Sequence, residues 1–229
     1  MLAELQRVMS RMIIVSDVTP NHLMRKVCGV DVSYHMDRAF CSAVNMNRYS
    51  YEIIETKESR ASIEFPYISG YFMLREASPI FTTLKKLESS FDVLIVNGHG
   101  ILHPRRMGLA SFVGLLVDRP TIGIAKRLLC GTENGGGYVS IDDNICGKKI
   151  AREKHDYIYV SVGHKISLET SIEIVNDLFR GGSNLPEPLK TADHMSKRSR
   201  SLYLSRHKNS LSYSSFWKIP RKINLGIFL

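Results

Sequence analysis

The distribution of apolar residues near the start of the chain predicts three consecutive strands. They cover Val27 to Tyr34, Phe40 to Met46 and Tyr51 to Thr56, and short polar segments at 35–38 and 47–50 separate them. Apolar and β-branched runs of this length, divided by short polar breaks, are typical of strands that pair as hairpins. We therefore expect an antiparallel meander of three strands.

Helical and strand-like patterns alternate after this meander. Ser78 and Pro79 have the residue types of a helix N-cap and first helical position, and apolar residues follow at helical spacing as far as Phe91. The continuous apolar run from Val93 to Val96 is typical of a strand in a parallel sheet that is covered on both faces. Three further elements are predicted downstream, a short helix and two buried strands: Met107 to Val117, Thr121 to Ala125 and Tyr157 to Val162.

Two more helices are predicted towards the C-terminus. Ser167 can cap a helix that carries an apolar stripe and ends at a double glycine, and a last short helix is expected over residues 189–200. Beyond it the chain is rich in serine and basic residues. We expect one folded domain over residues 1–200 and a basic, serine-rich tail over residues 201–229 that packs loosely.

The order of these elements predicts an α/β fold. A meander followed by alternating helices and strands forms a mixed sheet, in which antiparallel strands join parallel ones and helices cover both faces. This is the order of elements in a ribonuclease H-like core. Ligands of such sheets bind at the carboxyl ends of the strands, and the Val93 strand runs directly into Asn97, Gly98, His99 and Gly100. This junction is the first candidate for a functional site.

Composition adds a preference for a polyanionic partner. The chain has 229 residues, of which 44% are hydrophobic, and this is enough to fill the core of one domain. Lys and Arg number 31 against 22 Asp and Glu, which leaves a net charge of +9. An excess of this size favours nucleic acid as a partner, although a soluble basic protein with a solvated surface has the same composition.

Cysteine usage and the N-terminal pattern bear on the compartment. The four cysteines lie far apart and form no C-x-x-C pair, which favours free thiols in a reducing cytoplasm. Residues 1–15 alternate apolar and charged positions, so they predict an amphipathic surface helix rather than a signal peptide. No apolar run approaches the roughly 18 residues that a membrane span needs. We expect a cytoplasmic protein without a membrane span.

An acidic residue inside the first strand is a candidate for chemistry. Asp31 stands between Val30 and Val32. Burying a carboxylate without a partner costs on the order of several kcal/mol, so a buried Asp31 requires a cation or hydrogen-bond donors. The alternative is an edge strand on which Asp31 faces solvent.

Several motifs together resemble the endonuclease V family, and the resemblance covers about residues 27–193. The motifs occur in the same order as in the family. With the number given for the last residue of each, they are Gly-Val-Asp-Val-Ser-Tyr34, Pro-Tyr-Ile-Ser-Gly70, Leu-Arg-Glu76, Asn-Gly-His-Gly-Ile-Leu-His-Pro-Arg-Arg106, Pro-Thr-Ile-Gly-Ile-Ala-Lys126, Gly-His-Lys-Ile-Ser-Leu-Glu169 and Leu-Pro-Glu-Pro188. The resemblance implies a ribonuclease H-like, magnesium-dependent nuclease, with Mn²⁺ as an alternative ion. Its expected partner is DNA, or alternatively RNA, that contains inosine, and we expect the protein to be a monomer. The family recognises hypoxanthine and cuts the second phosphodiester on the 3′ side.

The resemblance also implies a metal site and two residues at the reacting phosphate. Asp31, Glu76, the Asn97 position and Asp193 correspond to the family's metal ligands, while His103 and Lys126 correspond to residues near the phosphate. Carboxylate oxygens are the ligands that Mg²⁺ prefers in proteins, with phosphate and water completing its shell. A histidine can act on a phosphate through a hydrogen bond or through proton transfer. Without the resemblance, Glu76 and Asp193 read as exposed helix or turn residues, and Lys126 as a strand-end lysine.

Asn97 departs from the family pattern, which has an aspartate at this position. An amide oxygen can coordinate Mg²⁺ but brings no negative charge, and each charge near a partly exposed ion is worth on the order of a few kcal/mol. We therefore carry a second hypothesis, a protein that binds the lesion and cuts poorly. A third is an unrelated ribonuclease H-like nuclease that acts on structured nucleic acid, which would cut equally well without inosine.

Further residues are expected to contact nucleic acid. By resemblance, Tyr67 is the tip of a wedge that enters the base stack when a nucleotide is rotated out, although Ser69 replaces the usual second proline of that loop. Arg105 and Arg106 offer guanidinium groups to phosphates. The expected pocket for the rotated base uses small and apolar residues: Phe72, Gly98, Gly100, Leu109 and Leu129.

Overall fold

A single mixed sheet with helices on both faces forms the framework of the protein. The computed structural model describes residues 1–152 and 156–207. The α-helices are α1 (Leu2–Ser10), α2 (Phe72–Leu84), α3 (Leu109–Val117), α4 (Leu168–Asp177) and α5 (Glu187–His207), and a 3₁₀ turn covers Asn21–Leu23. The strands are β1 (Lys26–His35), β2 (Arg38–Asn47), β3 (Ile53–Ser62), β4 (Val93–Asn97), β5 (Thr121–Ala125), β6 (Thr132–Glu133), β7 (Tyr138–Ile141), β8 (Asn144–Ala151) and β9 (Tyr157–His164).

The sheet confirms the predicted meander and the predicted mixed topology. Its strand order is β3-β2-β1-β4-β5-β9-β8-β7-β6. β1, β2 and β3 pair antiparallel, whereas β1, β4 and β5 pair parallel in the centre of the sheet. β9 then returns antiparallel to β5. The carboxyl ends of β1, β4 and β5 therefore lie side by side at one edge.

Side-chain alternation along β1 explains why both faces need helices. Val27 belongs to an apolar cluster with residues of α4 and α5, while Cys28 and Val30 belong to the cluster on the opposite face, with residues of α2 and α3. α5 crosses β1 at Gly29, where an added Cβ would lie 2.4 Å from the carbonyl carbon of Pro188. The glycine thus permits the backbone contact that holds α5 over the strand carrying Asp31.

The prediction that a helix begins at Ser78 is wrong. α2 begins at Phe72, so Pro79 lies inside the helix, and it ends at Leu84 rather than near Phe91. The residues before Pro79 continue the same buried stripe, which includes Met73, Glu76 and Ala77. Packing of that stripe against the sheet stabilises the helical turns before Ser78. The local Ser-Pro signal had predicted that these residues lie outside the helix.

Three short strands beyond β9 were not predicted. β6, β7 and β8 extend the sheet through antiparallel pairs, although β6 and β7 are short and the turns between the three strands are rich in glycine and aspartate. Such segments carry little strand signal by themselves because the pairing partner supplies most of the stabilisation. They form a small extension that packs around Leu102, Val139, Cys146 and Tyr159.

The predicted helix capped by Ser167 is present but ends at Asp177, before the double glycine predicted to end it, and the last helix is longer than predicted. The Ser167 side chain accepts a hydrogen bond of 3.0 Å from the backbone N–H of Thr170 at the start of α4. α5 runs from Glu187 to His207, beyond the predicted end at residue 200. The remainder of the predicted tail, residues 208–229, lies outside the described residues, so its loose packing stays a prediction.

The cysteines and the N-terminal helix agree with their sequence patterns. Cys28, Cys41, Cys130 and Cys146 are free thiols. α1 lies where the amphipathic pattern predicts a helix. Within the described ranges no helix has the length and apolar character needed to cross a membrane.

Candidate active site

Asp31 and Asn97 meet because their strands are parallel neighbours. Val30 of β1 pairs with Val96 of β4, so the next residue of each strand lies at the same edge of the sheet. The Asn97 side chain donates a hydrogen bond of 2.6 Å from Nδ2 to Oδ1 of Asp31. The structure thus joins two candidate metal ligands that lie 66 residues apart in the sequence.

The Asp31 carboxylate is buried and is held by neutral donors. Asp31 is 4% exposed, and its Oδ2 accepts a hydrogen bond of 3.1 Å from the hydroxyl of Ser196 on α5. Burial raises the pKa of Asp31, while the bonds from Asn97 and Ser196 act in the opposite direction. The prediction that a buried Asp31 would have waiting donors agrees with this environment, and the solvent-facing alternative is excluded.

Glu76 lies on the buried face of α2, near Asp31. It is 4% exposed, and its Oε1 accepts a hydrogen bond from the hydroxyl of Tyr34. The guanidinium of Arg75 lies 4.6 Å from the centre of the Tyr34 ring. Burial, together with the nearby charge of Asp31, raises the pKa of Glu76 to about 8, although the hydrogen bond from Tyr34 acts in the opposite direction. The alternative of an exposed turn residue is therefore excluded.

Asp193 approaches the same region from α5 but remains partly exposed. Its carboxylate lies 2.7 Å from the Lys197 ammonium, one helical turn away, and its backbone carbonyl accepts a hydrogen bond of 3.0 Å from Ser196. The charge of Asp193 contributes to the raised pKa of Asp31, which places the two carboxylates within electrostatic reach. Asp193 is thus neither a solvated surface residue nor as enclosed as Asp31.

The raised pKa of Glu76 has a consequence for stability. Because the folded protein holds this proton more tightly than the unfolded chain, the stabilisation is complete below the usual pKa near 4.5 and is lost as the pH rises through about 8. A glutamine at position 76 does not titrate, so we expect the free energy of unfolding of the Glu76→Gln protein to fall less steeply between these two pH values than that of the unsubstituted protein. Urea unfolding of both proteins at a series of pH values, with a chelator present, measures the slopes. Equal slopes would contradict the buried, protonated state of Glu76.

His103 is neutral and points at the loop that carries Tyr67. It is 3% exposed, its Nδ1 accepts a hydrogen bond of 3.2 Å from the backbone N–H of Arg105, and its Nε2 donates one of 3.2 Å to the carbonyl of Gly70. Burial, together with the charge of Arg105, lowers the pKa of His103 to about 4. A neutral imidazole whose Nε2 carries the proton can donate a hydrogen bond but is not a reservoir of positive charge.

A cavity of about 330 Å³ opens beside this cluster. A volume of this order is typical of small-molecule pockets. Eight of the predicted site residues line it: Tyr67, Phe72, Asn97, Gly98, His103, Leu109, Lys126 and Leu129. Lys126 is exposed at the end of β5, and Tyr67 is 68% exposed with its ring in edge-on contact with Phe72. The structure therefore places the candidate base pocket next to the candidate metal ligands.

Three predicted contact residues do not line this cavity. Gly100 is packed against β9, where an added Cβ would lie 1.9 Å from the carbonyl oxygen of Val162, so its lack of a side chain serves packing. Arg106 turns away and donates a hydrogen bond of 2.7 Å to the carbonyl of Ile141. Arg105 lies behind the cavity wall, where it bonds Gly70 and stacks on Tyr71.

Sequence reasoning missed three residues that support the site. Tyr34, Ser196 and Gln6 contact Glu76, Asp31 and the cavity wall respectively. Tyr34 ends a motif that had been singled out for its aspartate, so alternation along β1 could have drawn attention to it. The other two belong to helices whose contacts are tertiary, and their residue types carry no local signal.

The candidate metal ligands offer oxygen atoms, the ligand type that hard divalent cations prefer. Asp31 and Glu76 are nearly buried, and neither forms a salt bridge with a described residue. Asp193, partly exposed on α5, and the amide oxygen of Asn97 are the other candidate oxygen donors. Among the described residues no three His, Cys, Asp or Glu side chains converge as a metal cluster. Asp31, Glu76 and Asp193 therefore do not form such a cluster by themselves, and Asn97 offers an amide oxygen where the resemblance implies a carboxylate.

Comparison with known proteins connects this arrangement to one family. The endonuclease V family model matches residues 7–194. Endonuclease V of Thermofilum pendens is 38% identical over 192 residues, covering 82% of each chain, and that of Pyrococcus abyssi is 39% identical over 196 residues, covering 86% of this chain and 90% of its own.

Solved structures share the fold. The Bacillus subtilis endonuclease V structure has a TM-score of 0.82 at 29% identity and covers 90% of this chain and 93% of its own. An aspartate-to-asparagine variant of Ciona intestinalis endonuclease V, solved with DNA that contains an inosine followed by a ribo-adenosine, has a TM-score of 0.79 at 28% identity and covers 87% of this chain and 95% of its own. The family match and these relatives confirm both the predicted fold and the resemblance, and they show that the chain belongs to the endonuclease V family of phosphodiester-hydrolysing nucleases.

Proposed function

We propose that this protein is a magnesium-dependent endonuclease that recognises hypoxanthine in DNA and hydrolyses the second phosphodiester on its 3′ side. The observation that supports the proposal most directly is that Asn97 takes part in both features: its side chain bonds Asp31, and the residue also lines the cavity. Acidic ligands and a pocket of base size therefore adjoin each other. The Ciona relative's complex with inosine-containing DNA supports the choice of base.

Asp31, Glu76, Asp193 and the amide oxygen of Asn97 would hold Mg²⁺, or Mn²⁺ in its place. Such an ion lowers the pKa of a bound water and neutralises charge on the phosphate oxygens. The residues of the chain then have separate tasks. Lys126, exposed at the cavity mouth, offers a positive charge to a phosphate. His103 would donate its single Nε2 hydrogen to the phosphate in place of the Gly70 carbonyl.

The cavity suits a purine that has been rotated out of the stack. Phe72, Leu109 and Leu129 provide apolar surface, and Gly98 lets the backbone approach an inserted base edge. Hypoxanthine presents O6 as an acceptor and N1–H as a donor, the reverse of adenine, so backbone groups can distinguish the two bases. Discrimination by fixed backbone groups requires that the loops around the cavity keep their positions.

Tyr67 is expected to act as the wedge in duplex substrates. Its exposed ring can fill the gap left by a rotated nucleotide and offset part of an unstacking cost of about a few kcal/mol. We expect Tyr67→Ala to weaken binding to an inosine-containing duplex by about tenfold, with a smaller effect on a single strand, where less stacking must be broken. Binding titrations with both substrates measure this. Tyr49→Ala, which also removes an exposed tyrosine, is the control. Equal losses on both substrates would contradict a wedge role.

A second candidate function is lesion binding with little cleavage. The hydrogen bond from Asn97 to Asp31 favours it, because a neutral donor occupies a carboxylate oxygen that the family pattern assigns to the metal. In this form the pocket would remain intact while the ion is held weakly. The protein would then mark inosine rather than cut beside it.

One matched assay tests the proposal and separates the candidates. End-labelled oligonucleotides that carry inosine or adenine at one position are compared for binding and for cleavage, in DNA and RNA versions, across Mg²⁺ and Mn²⁺ concentrations. The endonuclease proposal expects a single inosine-dependent product that ends at the second 3′ phosphodiester. Inosine-dependent binding without product would favour the second candidate. Equal cleavage of both oligonucleotides would exclude hypoxanthine recognition.

A further inference from the structure

One backbone carbonyl joins three separate parts of the site. The carbonyl oxygen of Gly70, at the end of the loop that carries Tyr67, accepts hydrogen bonds from three side chains. The donors are Nε2 of Gln6 at 3.0 Å, Nη2 of Arg105 at 2.7 Å and Nε2 of His103 at 3.2 Å. α1 and the loop after β4 therefore hold the same point of the Tyr67 loop.

Gln6 is fully bonded and fully buried at this point. Its Nε2 also donates to the carbonyl of Met107 at 3.1 Å, and its Oε1 accepts from Nε of Arg105 at 2.5 Å. It is the buried residue of α1, whereas the apolar Leu5 and Val8 are 48% and 50% exposed. The buried Gln6 amide gives this helix a specific position, because each displaced bond would leave a buried polar group unsatisfied.

The backbone of Gly70 is adapted to this contact. Its φ of +78° lies in the left-handed region, and an added Cβ would lie 2.7 Å from Nη2 of Arg105. The guanidinium of Arg105 is fixed in turn by the Tyr71 ring, 4.5 Å from its centre. The loop end and the side chains that hold it are therefore shaped to each other.

We propose that Gln6 is a positioning residue for lesion recognition, which fixes the Tyr67 loop relative to the cavity and to His103 by holding the Gly70 carbonyl and the Arg105 guanidinium. The inference rests on the proposed function and adds a residue of α1 to its machinery. Gln6 and Gly70 line the cavity together with Tyr67 and Phe72, so a shift of their contact changes the space offered to the base. Since His103 donates to the same carbonyl, the shift also changes the position of the imidazole in the cavity wall.

Two substitutions of Gln6 separate the contacts. Gln6→Met keeps the approximate length of the side chain and removes every strong hydrogen bond. Gln6→Glu keeps an acceptor for Arg105 but replaces the donor that faces the Gly70 and Met107 carbonyls. Glu4→Gln, on the exposed side of α1, is the control that changes the helix without touching the cavity.

We expect Gln6→Met to weaken binding of an inosine oligonucleotide by about tenfold in the presence of a chelator, and to leave binding of the matched adenine oligonucleotide unchanged. Gln6→Glu should act in the same direction, and Glu4→Gln should have no effect. In cleavage assays KM should rise, and kcat should fall with it because His103 is displaced. Unchanged inosine selectivity in a folded Gln6→Met protein would overturn the proposal, and Gln6→Glu decides the question if Gln6→Met does not fold.

Hydrogen exchange distinguishes failure of this inference from failure of the proposed function. The Tyr71 amide donates to the carbonyl of Ile68 at 2.9 Å and reports on the loop without any substrate. Faster exchange of this amide in Gln6→Met supports the positioning role even if the unsubstituted protein shows no preference for inosine, an outcome that would reject only the proposed function. Unchanged exchange would overturn the positioning role itself.

Discussion

Replacing Asp31 by asparagine is expected to reduce kcat/KM for an inosine-containing oligonucleotide by at least about 1000-fold, which corresponds to about 4 kcal/mol of transition-state stabilisation. The change removes a buried carboxylate from the candidate metal site while keeping the shape of the side chain. Asn97 and Ser196 donate to different oxygens of Asp31, of which the asparagine keeps one, and the Asn97 amide or the Ser196 hydroxyl can accept from its new NH₂ group. Steady-state cleavage in Mg²⁺ and in Mn²⁺ measures the loss.

Stability separates this catalytic loss from damage to the fold. Burial raises the pKa of Asp31, so its charged form is disfavoured in the folded protein, and Asp31→Asn should unfold at the same or a higher urea concentration in the presence of a chelator. Asp37→Asn, which removes an exposed carboxylate from the turn after β1, is the charge-matched control. Cleavage at the unsubstituted rate by Asp31→Asn would remove Asp31 from the site and with it the proposed metal assignment.

Replacing Asn97 by aspartate is expected to have the second largest effect, in the opposite direction. A carboxylate at this position adds a charge beside Asp31, and a charge of this kind is worth on the order of a few kcal/mol to a nearby ion. We expect tighter Mg²⁺ binding and an increase in kcat/KM of about 100-fold at limiting Mg²⁺. Cleavage measured as a function of Mg²⁺ concentration gives both quantities.

The same substitution should destabilise the metal-free protein. Asn97→Asp replaces a donated hydrogen bond of 2.6 Å with two carboxylates that repel each other, and a bound cation should restore the stability. Thermal unfolding with and without Mg²⁺ is thus a readout that does not depend on cleavage. Asn97→Ser, which loses the bond without gaining a charge, is the matched control. A kcat/KM and a Mg²⁺ response that stay unchanged in Asn97→Asp would show that Asn97 does not limit the site.

Fast cleavage by the unsubstituted chain would bear on the candidate functions directly. It would show that an amide oxygen suffices at position 97 and would remove the lesion-binding alternative. Slow cleavage together with selective binding, and a gain in Asn97→Asp, would support that alternative instead. Together, the two mutational results decide whether this chain cuts inosine-containing nucleic acid or mainly binds it.

The elements with strong local patterns were predictable from the sequence. The meander, the Val93 strand and the helix capped by Ser167 each carry a periodicity or cap that depends on neighbouring residues alone. The start of α2 was predicted wrongly because Ser78 and Pro79 give a local start signal, whereas burial of Met73 and Glu76 against the sheet stabilises the preceding turns. Strands β6 to β8 depend on one another for pairing, so their sequences alone do not predict them.

By itself, the sequence determined the family, the α/β fold and the residue types of the site, because motifs and periodic apolar patterns are properties of short segments. Only the tertiary structure decided that Asn97 donates to Asp31, that Glu76 is buried, that Arg106 faces away and that Gln6 holds the Gly70 carbonyl. These contacts depend on segments brought together by parallel strand pairing and by helix docking. The resulting burial and distances shift the pKa values of Asp31 and Glu76. The chemistry of the site therefore follows from contacts between residues that are distant in the chain.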